Sequence, residues 1–160
     1  MSDPPFVPAD FAVPDGLTAE EFRLEPLGPE HNPADYAAWT ASMDHIRATP
    51  GFAGRGWPHE MGPEDNLRDL ERHARDFAER RGFTYTVLSA GSGDVIGCVY
   101  IYPPGRDGPG GGTGEREAAV SSWVRADCAE LDPVLYRAVL AWLEHDWPFY
   151  SITYAPRVPT

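Results

Sequence analysis

The chain of 160 residues is long enough for one domain with a real hydrophobic core, and its 25 acidic against 13 basic side chains give a formal net charge of -12. This charge disfavours nucleic acid as a partner, because phosphates require positive charge, and permits a cationic or amine-bearing one. The chain has no apolar run of about 18 residues and only two cysteines, without metal-site or disulfide spacing, so we expect a cytoplasmic protein with reduced thiols, no metal ion and no membrane contact.

Residues 1–20 are rich in proline and aspartate, a composition that packs poorly by itself. It predicts a flexible, Pro-rich N-terminal arm over residues 1–20, whose Phe6, Phe11 and Val13 can still lie along the domain or a partner, followed by a single domain over residues 21–160. The domain begins with a strand over residues 21–27, in which apolar and charged positions alternate. Pro26 cannot donate to a strand ladder, which indicates that this strand lies at or near a sheet edge.

Two amphipathic helices follow the first strand. The dipeptide Asn32–Pro33 is typical of a helix start, and one apolar face then continues through Tyr36, Trp39, Met43 and Ile46. A glycine- and proline-rich loop over residues 49–62 separates this helix from a second one. The second helix begins at Pro63 and is predicted to bury Leu67, Leu70, Ala74 and Phe77. Its charged remainder is interpreted as a solvated face.

Residues 83–88 and 95–102 are β-branched and aromatic runs that predict two strands, joined by a hairpin loop over residues 89–94. Gly97, inside the second run, indicates either a bulge or a close approach of another backbone. The glycine-rich tract over residues 105–117 meets no phosphate-binding template, since it has neither a Gly-Lys-Ser/Thr ending nor the G-x-G-x-x-G spacing. We interpret it as a flexible loop between antiparallel strands.

The last part of the chain predicts a strand over residues 120–124, a helix and a short final strand over residues 151–155. Asp132 and Pro133 give the N-cap and first-turn signals of the helix. The order of elements, βααβββαβ, predicts an α+β fold with a mixed, mostly antiparallel sheet and helices on both faces. The junction after residue 124 gathers backbone N–H groups at a helix N-terminus, where an anionic ligand is stabilised.

This order of elements, together with the phrases GCVYIYPP, SSWV and HDWPF, resembles the GNAT superfamily of acetyl-CoA-dependent N-acetyltransferases. The resemblance covers roughly residues 21–155 and rests on strand and helix phrases, not on a catalytic signature. It implies acetyl-CoA as the cofactor. In that family the central strand pairs with the pantetheine arm, and the pyrophosphate lies on the loop that follows. The matching positions here are Trp123, Val124, Arg125, Cys128 and Ala129.

The sequence departs from the family pattern in this loop. Residues 125–135 contain no glycine and offer Asp127, Glu130 and Asp132 instead. An N-cap carboxylate at Asp132 is expected to occupy the N–H donors that a phosphate uses. One carboxylate about 7 Å from a phosphate charge opposes binding by about 2 kcal/mol, more than the roughly 0.3 to 1 kcal/mol that a helix dipole returns. After the last strand the sequence continues only through residues 156–160, whereas the family adds a helix and closing strands.

Acetyl transfer to an amine needs a group that takes a proton from the nucleophile, in the family usually a Glu early in the central strand or a water chain. The matching positions are Ala118 and Ala119, so Glu117 is the neighbouring candidate. Tyr154 comes nearest to the family's Tyr general acid, although it matches a strand position. The loop residues His59 and Glu60 complete the catalytic candidates.

Two interpretations stay open. In the first, the chain is a GNAT-like N-acetyltransferase that moves an acetyl group from acetyl-CoA to an amine of a small molecule or protein. The acceptor then lies near Trp57, His59, Glu60 and Tyr154. In the second, the chain is a catalytically degenerate GNAT-like domain that acts as a binding or dimerisation module, with a second subunit of a homodimer covering an open sheet edge.

Overall fold

The computed structural model describes residues 6–104 and 116–157, and most of the glycine-rich tract predicted as a loop lies outside these residues. Within the described part of the chain, six strands form one sheet: β1 (Leu17–Thr18), β2 (Phe22–Pro26), β3 (Phe83–Ser89), β4 (Val95–Tyr102), β5 (Glu117–Val124) and β6 (Ser151–Tyr154). The helices are α1 (Asn32–Thr40), α2 (Met43–Ala48), α3 (Pro63–Ala78) and α4 (Asp132–Asp146). None of these described helices is both long and apolar enough to cross a membrane.

The strands lie in the sheet in chain order, with antiparallel pairing from β1 to β5. β6 pairs with β5 in parallel, because the chain returns through α4 before it adds the last strand. The predicted mixed, mostly antiparallel α+β sheet is confirmed. The parallel pair ends at Val120, opposite Tyr154, so residues 121–124 of β5 extend past the end of β6.

Helices cover both faces of the sheet, as predicted. On one face the buried Leu135 and Val139 of α4 belong to the same core cluster as Val120 of β5. On the opposite face Trp39 of α1 belongs to a second core cluster with Trp123 of β5. Successive side chains of a strand point to opposite faces, which is why two residues of β5 three positions apart enter different cores.

Gly97 in β4 fulfils both alternatives predicted for it. The register between β3 and β4 shifts between Val87 and Leu88, which marks a bulge. A Cβ atom on Gly97 would lie 2.3 Å from the backbone oxygen of Trp123, a distance that carbon and oxygen atoms do not tolerate. β5 therefore approaches β4 so closely at this point that only glycine fits.

The described part of the predicted flexible arm, residues 6–20, is packed against the domain instead of lying free. Phe6 and Val7 are buried in the core on the α4 face, and the Phe6 ring stacks on Phe83 with centroids 5.9 Å apart. β1 also pairs with β2. Apolar side chains between the prolines are thus buried outside the longer strands and helices.

The single helix predicted over residues 32–46 is interrupted between α1 and α2. At the break the Ser42 hydroxyl accepts a hydrogen bond from the backbone N–H of Ala126 at 2.9 Å. The predicted apolar face nevertheless continues across the break, since Trp39 and Ile46 are both fully buried. The first helix thus ends where it meets a distant segment of the chain. The periodicity of the sequence does not reveal such a contact.

Candidate functional site

A cleft of about 750 Å³ lies on the sheet face that carries α1 and α3. α3 and the loop between α2 and α3 form its sides, and β4 and β5 contribute its floor. We call it the aromatic cleft, and its lining includes Asp35, Phe52, Trp57, His73, Tyr100 and Ser121.

The walls of the aromatic cleft are rings held in place by one another. Trp57 of the loop lies against Tyr100 of β4 with ring centroids 6.5 Å apart, and Phe52 lies 6.1 Å from Trp57. The Tyr100 hydroxyl accepts a hydrogen bond from the Trp123 indole N–H at 3.0 Å. Rings fixed in this way present apolar surface and electron-rich faces, which attract alkyl groups and cations.

Asp35 of α1 brings a carboxylate into the aromatic cleft. It is 4% exposed, and its Oδ2 accepts a hydrogen bond from Asn66 Nδ2 at 3.1 Å. Burial raises the pKa of Asp35 from its ordinary value of 3.8 to about 6, against the opposing effect of the Asn66 hydrogen bond. Among the described side chains, no basic group forms a salt bridge with this carboxylate.

A second polar group lies along the α3 side of the cleft. The Tyr102 hydroxyl donates to Asp76 Oδ2 at 2.9 Å and lies 2.9 Å from His73 Nδ1. Arg81 forms a salt bridge with Asp76 at 3.1 Å. The Asp76 carboxylate therefore has a cationic partner within the chain, in contrast to Asp35.

The solvated face predicted for the charged residues of α3 is wrong at Asp76, which is 2% exposed, and the neutral Asn66 is buried as well, at 3% exposed. Four of the five polar residues of α3 that line the cleft recur at i, i+3, i+7 and i+10, the spacing of one helix face: Asn66, Asp69, His73 and Asp76. The fifth is Arg72, which forms a salt bridge with Asp69 at 3.8 Å. This polar stripe beside the buried Leu70 is the signal in the sequence that could identify the cleft.

The four catalytic candidates from the sequence are absent from the described lining of the aromatic cleft. Glu117 is the first residue of β5, and Tyr154 is buried on the α4 face with its hydroxyl 2.5 Å from Ser122 Oγ. His59 and Glu60 are exposed in the loop, and Glu60 borders a separate cavity of about 590 Å³ beside α2. No group of three or more His, Cys, Asp or Glu in the described ranges is placed to hold a metal ion.

The aromatic cleft reaches β5 at the point where its pairing with β6 ends. Ala119 and Ser121 line the cleft, and Val120 between them is the last residue of β5 with a partner in β6. The space beyond that pair is bordered by Ser122, Tyr154 and the start of α4 at Asp132, and we call it the β5–β6 groove.

No family model matches the chain, and no curated protein matches its sequence. Its structure matches ribosomal-protein-S5-alanine acetyltransferase from Vibrio fischeri with a TM-score of 0.58 and 13% identity, over 80% of this chain. It also matches the ribosomal α-N-protein acetyltransferase RimL in complex with coenzyme A (TM-score 0.62, 10% identity, 81% of this chain). A third match is the microcin C7 self-immunity acetyltransferase MccE with acetyl-CoA and AMP (TM-score 0.59, 12% identity, 82% of this chain). This chain spans 66% of each of those three chains, just under two thirds of their length.

These matches decide the architecture. The chain has the GNAT fold. The resemblance matches β5, the fifth of the six strands, to the strand along which the family's pantetheine arm lies, and so places acetyl-CoA in the β5–β6 groove. Whether this chain's own residues suit that cofactor depends on the donors and the space that the groove offers.

Three of the backbone N–H groups that follow β5 already have partners within the chain. The N–H of Arg125 donates to the backbone oxygen of Ile96 at 2.8 Å, and that of Cys128 donates to the oxygen of Arg125 at 2.9 Å. The N–H of Ala126 donates to the Ser42 hydroxyl. These three donors, at the junction where the resemblance places the pyrophosphate, are therefore engaged within the chain.

The other residues predicted to contact the cofactor do not supply replacements. Trp123 and Val124 are buried in the sheet, and Ala129 uses its backbone oxygen to accept the N–H at the start of α4. The Arg125 guanidinium forms two hydrogen bonds of 2.9 Å with the Asp127 carboxylate, which hold the pKa of Asp127 below its usual range. This cation is therefore matched by an acid within the same loop.

Asp132 does not cap α4 as predicted. Residues 126–131 form a 3-10 turn that continues directly into the helix, so Leu131 holds the N-cap position and no side chain caps the helix. The Asp132 carboxylate instead accepts hydrogen bonds from the Arg157 guanidinium, at 2.7 Å to Oδ2 and 3.4 Å to Oδ1. The acid predicted to repel a phosphate is thus neutralised by a residue 25 positions away.

The groove in this arrangement does not fit acetyl-CoA in the manner that the resemblance implies. The Arg157 side chain is 3% exposed and donates to the backbone oxygen of Ser122 at 2.8 Å. Ser122 lies on the part of β5 past the last β6 pair, the edge with which a pantetheine arm would pair. Arg157 therefore closes the groove to such an arm.

Proposed function

We propose that this GNAT-fold chain is an N-acetyltransferase whose acceptor amine, on a small molecule or a protein, binds in the aromatic cleft beside Asp35. Acetyl-CoA is the donor expected from the fold. The observation that carries the proposal is a buried carboxylate that forms no salt bridge in the described part of the chain, in a cleft walled by aromatic rings. Two cations also line the cleft, but each has a partner: Arg72 forms a salt bridge with Asp69, and Arg55 lies over the Phe52 ring. Of the residues predicted to lie near the acceptor, Trp57 lines this cleft.

An ammonium group suits the cleft for an energetic reason. The pKa of Asp35 is raised to about 6 because burial removes water from its charged form. A cation within about 4 to 6 Å of the carboxylate stabilises that charged form and lowers the pKa again. The faces of Trp57 and Tyr100 add a cation–π attraction of roughly 0.5 to 2 kcal/mol. A bound cation therefore offsets the free-energy cost of keeping the buried Asp35 carboxylate ionised.

An ammonium must also lose a proton before it can act as a nucleophile. A carboxylate held beside the ammonium is placed to accept that proton as a general base. In this proposal Asp35 attracts the amine and accepts its proton. His73, whose Nδ1 lies 2.9 Å from the Tyr102 hydroxyl, borders the rest of the acceptor. These roles replace those predicted for Glu117, Tyr154, His59 and Glu60.

The proposal is tested by incubating the protein with acetyl-CoA and a panel of primary amines and peptides, and by detecting acetylated products by mass spectrometry. We expect turnover by the wild type and a loss of about 10²- to 10⁴-fold in kcat/KM for Asp35→Asn. The matched control is Asp65→Asn, which also removes one carboxylate, but from the exposed first turn of α3. An Asp35→Asn variant with wild-type turnover contradicts the role of Asp35. Absence of turnover on every amine contradicts the proposed activity.

The closed groove favours a second candidate, a catalytically degenerate GNAT-fold module that binds a ligand or dimerises. β6 has a strand partner on one side only within the described sheet, so its other edge could receive a second subunit. Amine binding without any binding of acetyl-CoA, together with a concentration-dependent dimer in analytical ultracentrifugation, would favour this module. A strict monomer with a measurable acetyltransferase rate would exclude it.

A further inference from the structure

The β5–β6 groove is filled from within by one side chain. Arg157 follows β6 by three residues, and its guanidinium donates hydrogen bonds to four parts of the fold. The acceptors are the Asp132 carboxylate and the backbone oxygens of Ser122, Ala155 and Pro50, at 2.7, 2.8, 2.8 and 3.3 Å. These contacts join α4, β5, the segment after β6 and the loop after α2.

The guanidinium is also enclosed by aromatic rings. It lies 5.8 Å from the ring centroid of Tyr136 on α4 and 5.7 Å from that of Tyr154 on β6. A planar fork of donors suits a carboxylate and a carbonyl oxygen at the same time, which an ammonium group cannot match. Arg157 therefore provides hydrogen-bond donors to the Asp132 carboxylate and the Ser122 backbone oxygen, polar groups that a ligand in the groove would otherwise meet.

We propose that Arg157 is a latch on the β5–β6 groove, and that it must withdraw from Asp132 and Ser122 before the pantetheine arm of coenzyme A can pair with the β5 edge. The inference rests on the proposed transferase function, because it concerns access of that activity's donor. The latch excludes the arm in two ways: it occupies the edge oxygen of β5, and it fills the space between the strand and α4.

The latch also connects the groove with the aromatic cleft. Arg157 donates to the backbone oxygen of Pro50, and Phe52, two residues further along the same loop, forms a wall of the cleft. A Cβ atom on Gly51, between these two residues, would lie 3.7 Å from Ala155 Cβ and 4.0 Å from Ser121 Cβ. This loop segment therefore separates groove and cleft, and withdrawal of Arg157 removes one of its anchors.

The test compares coenzyme A binding by the wild type and by the double variant Asp132→Asn/Arg157→Gln, using isothermal titration calorimetry. The double variant opens the latch without leaving an unpaired charge in the groove. A matched control, Asp65→Asn/Arg68→Gln, removes an exposed salt bridge on α3 and leaves the net charge equally unchanged. Melting temperatures and circular dichroism establish that all three proteins are folded. Arg157→Lys keeps the charge but loses the fork of donors, and serves as a second variant with less disturbance of the fold.

The apparent affinity of a ligand falls by the fraction of molecules that are competent to bind it. If the groove is open in about one molecule in ten or fewer, the double variant should bind coenzyme A at least about tenfold more tightly than the wild type, with Arg157→Lys between them. The control should match the wild type.

Three results would overturn the latch. Equal, measurable affinities in the wild type and the double variant would show that Arg157 is no obstacle, and the proposed transferase would survive. Weaker binding by the double variant would make Arg157 a ligand of coenzyme A instead of a latch. Absence of binding in every protein would remove both the latch and the proposed transferase, because an opened groove would still reject the donor.

Discussion

Asp35→Asn should stabilise the folded protein at neutral pH while it removes the function proposed for the cleft. The substitution keeps the size and shape of the side chain and removes its charge. The amide oxygen introduced at this position can still accept the hydrogen bond that Asn66 Nδ2 donates at 3.1 Å. Because Asp35 is only 4% exposed, the main change is the loss of a poorly solvated charge.

The magnitude follows from the pKa of Asp35, which burial raises from 3.8 to about 6. The folded protein binds this proton more tightly than the unfolded chain does. The resulting stability is therefore fully present below about pH 4 and is lost as the pH rises to about 6. At about 1.4 kcal/mol for each pH unit between the two values, ionisation of Asp35 lowers the free energy of unfolding at pH 7 by about 3 kcal/mol.

Urea unfolding of the wild type and of Asp35→Asn at several pH values between about 4 and 8 measures this difference. Other carboxylates titrate in the same range, but they do so in both proteins and cancel in the comparison. We expect similar stabilities near pH 4 and an advantage of about 3 kcal/mol for the variant above pH 7. Asp65→Asn, at an exposed position, should show no such pH-dependent advantage. Equal stability of the wild type and Asp35→Asn across the whole range would refute the reasoning.

Three further substitutions test separate parts of the structure. Gly97→Ala forces a Cβ atom to within 2.3 Å of the Trp123 backbone oxygen and should lower the free energy of unfolding by about 1 to 3 kcal/mol; an unchanged urea midpoint would contradict the close approach. Tyr154→Phe removes the contact with the Ser122 hydroxyl and should cost about 1 kcal/mol of stability, with turnover almost unchanged. A rate loss of about 10²-fold or more in that variant would restore Tyr154 as a general acid. Trp57→Leu removes a ring from the cleft and should weaken amine binding about tenfold, as measured by calorimetry; unchanged affinity would argue against the aromatic wall.

The sequence predicts much of the fold because several elements have strong local signals. The strand over residues 95–102 and the helix that begins at Pro63 match the structure at these positions, since β-branched runs and N-terminal prolines act locally. The short β1 carries no comparable signal, because a strand of two residues has no periodicity to detect. The break between α1 and α2 involves Ser42 and Ala126, residues 84 positions apart, which no local pattern connects.

The candidate site is less accessible to sequence reasoning, because its residues come from distant segments. In the sequence, Asp35 has the pattern of a polar, solvent-facing position on an amphipathic helix. Only the structure, in which Asn66 packs against it, shows that its carboxylate is buried. Arg157 is 25 and 35 residues away from Asp132 and Ser122, the partners that it joins. The expected repulsion by Asp132 fails for the same reason: the sequence shows the charge but not the distant cation that neutralises it.

Titration of the protein with n-butylamine and with 1-butanol, probes of similar size that differ in charge, tests the central claim most directly. At about pH 8 the Asp35 carboxylate is ionised and the amine is protonated, so calorimetry compares a cation with its neutral counterpart in the same cleft. The account predicts that the wild type binds the amine at least about tenfold more tightly than the alcohol, and that Asp35→Asn abolishes this preference. Equal affinities for the two probes, or a preference for the amine that survives Asp35→Asn, would contradict the claim that the buried carboxylate makes the aromatic cleft an ammonium site.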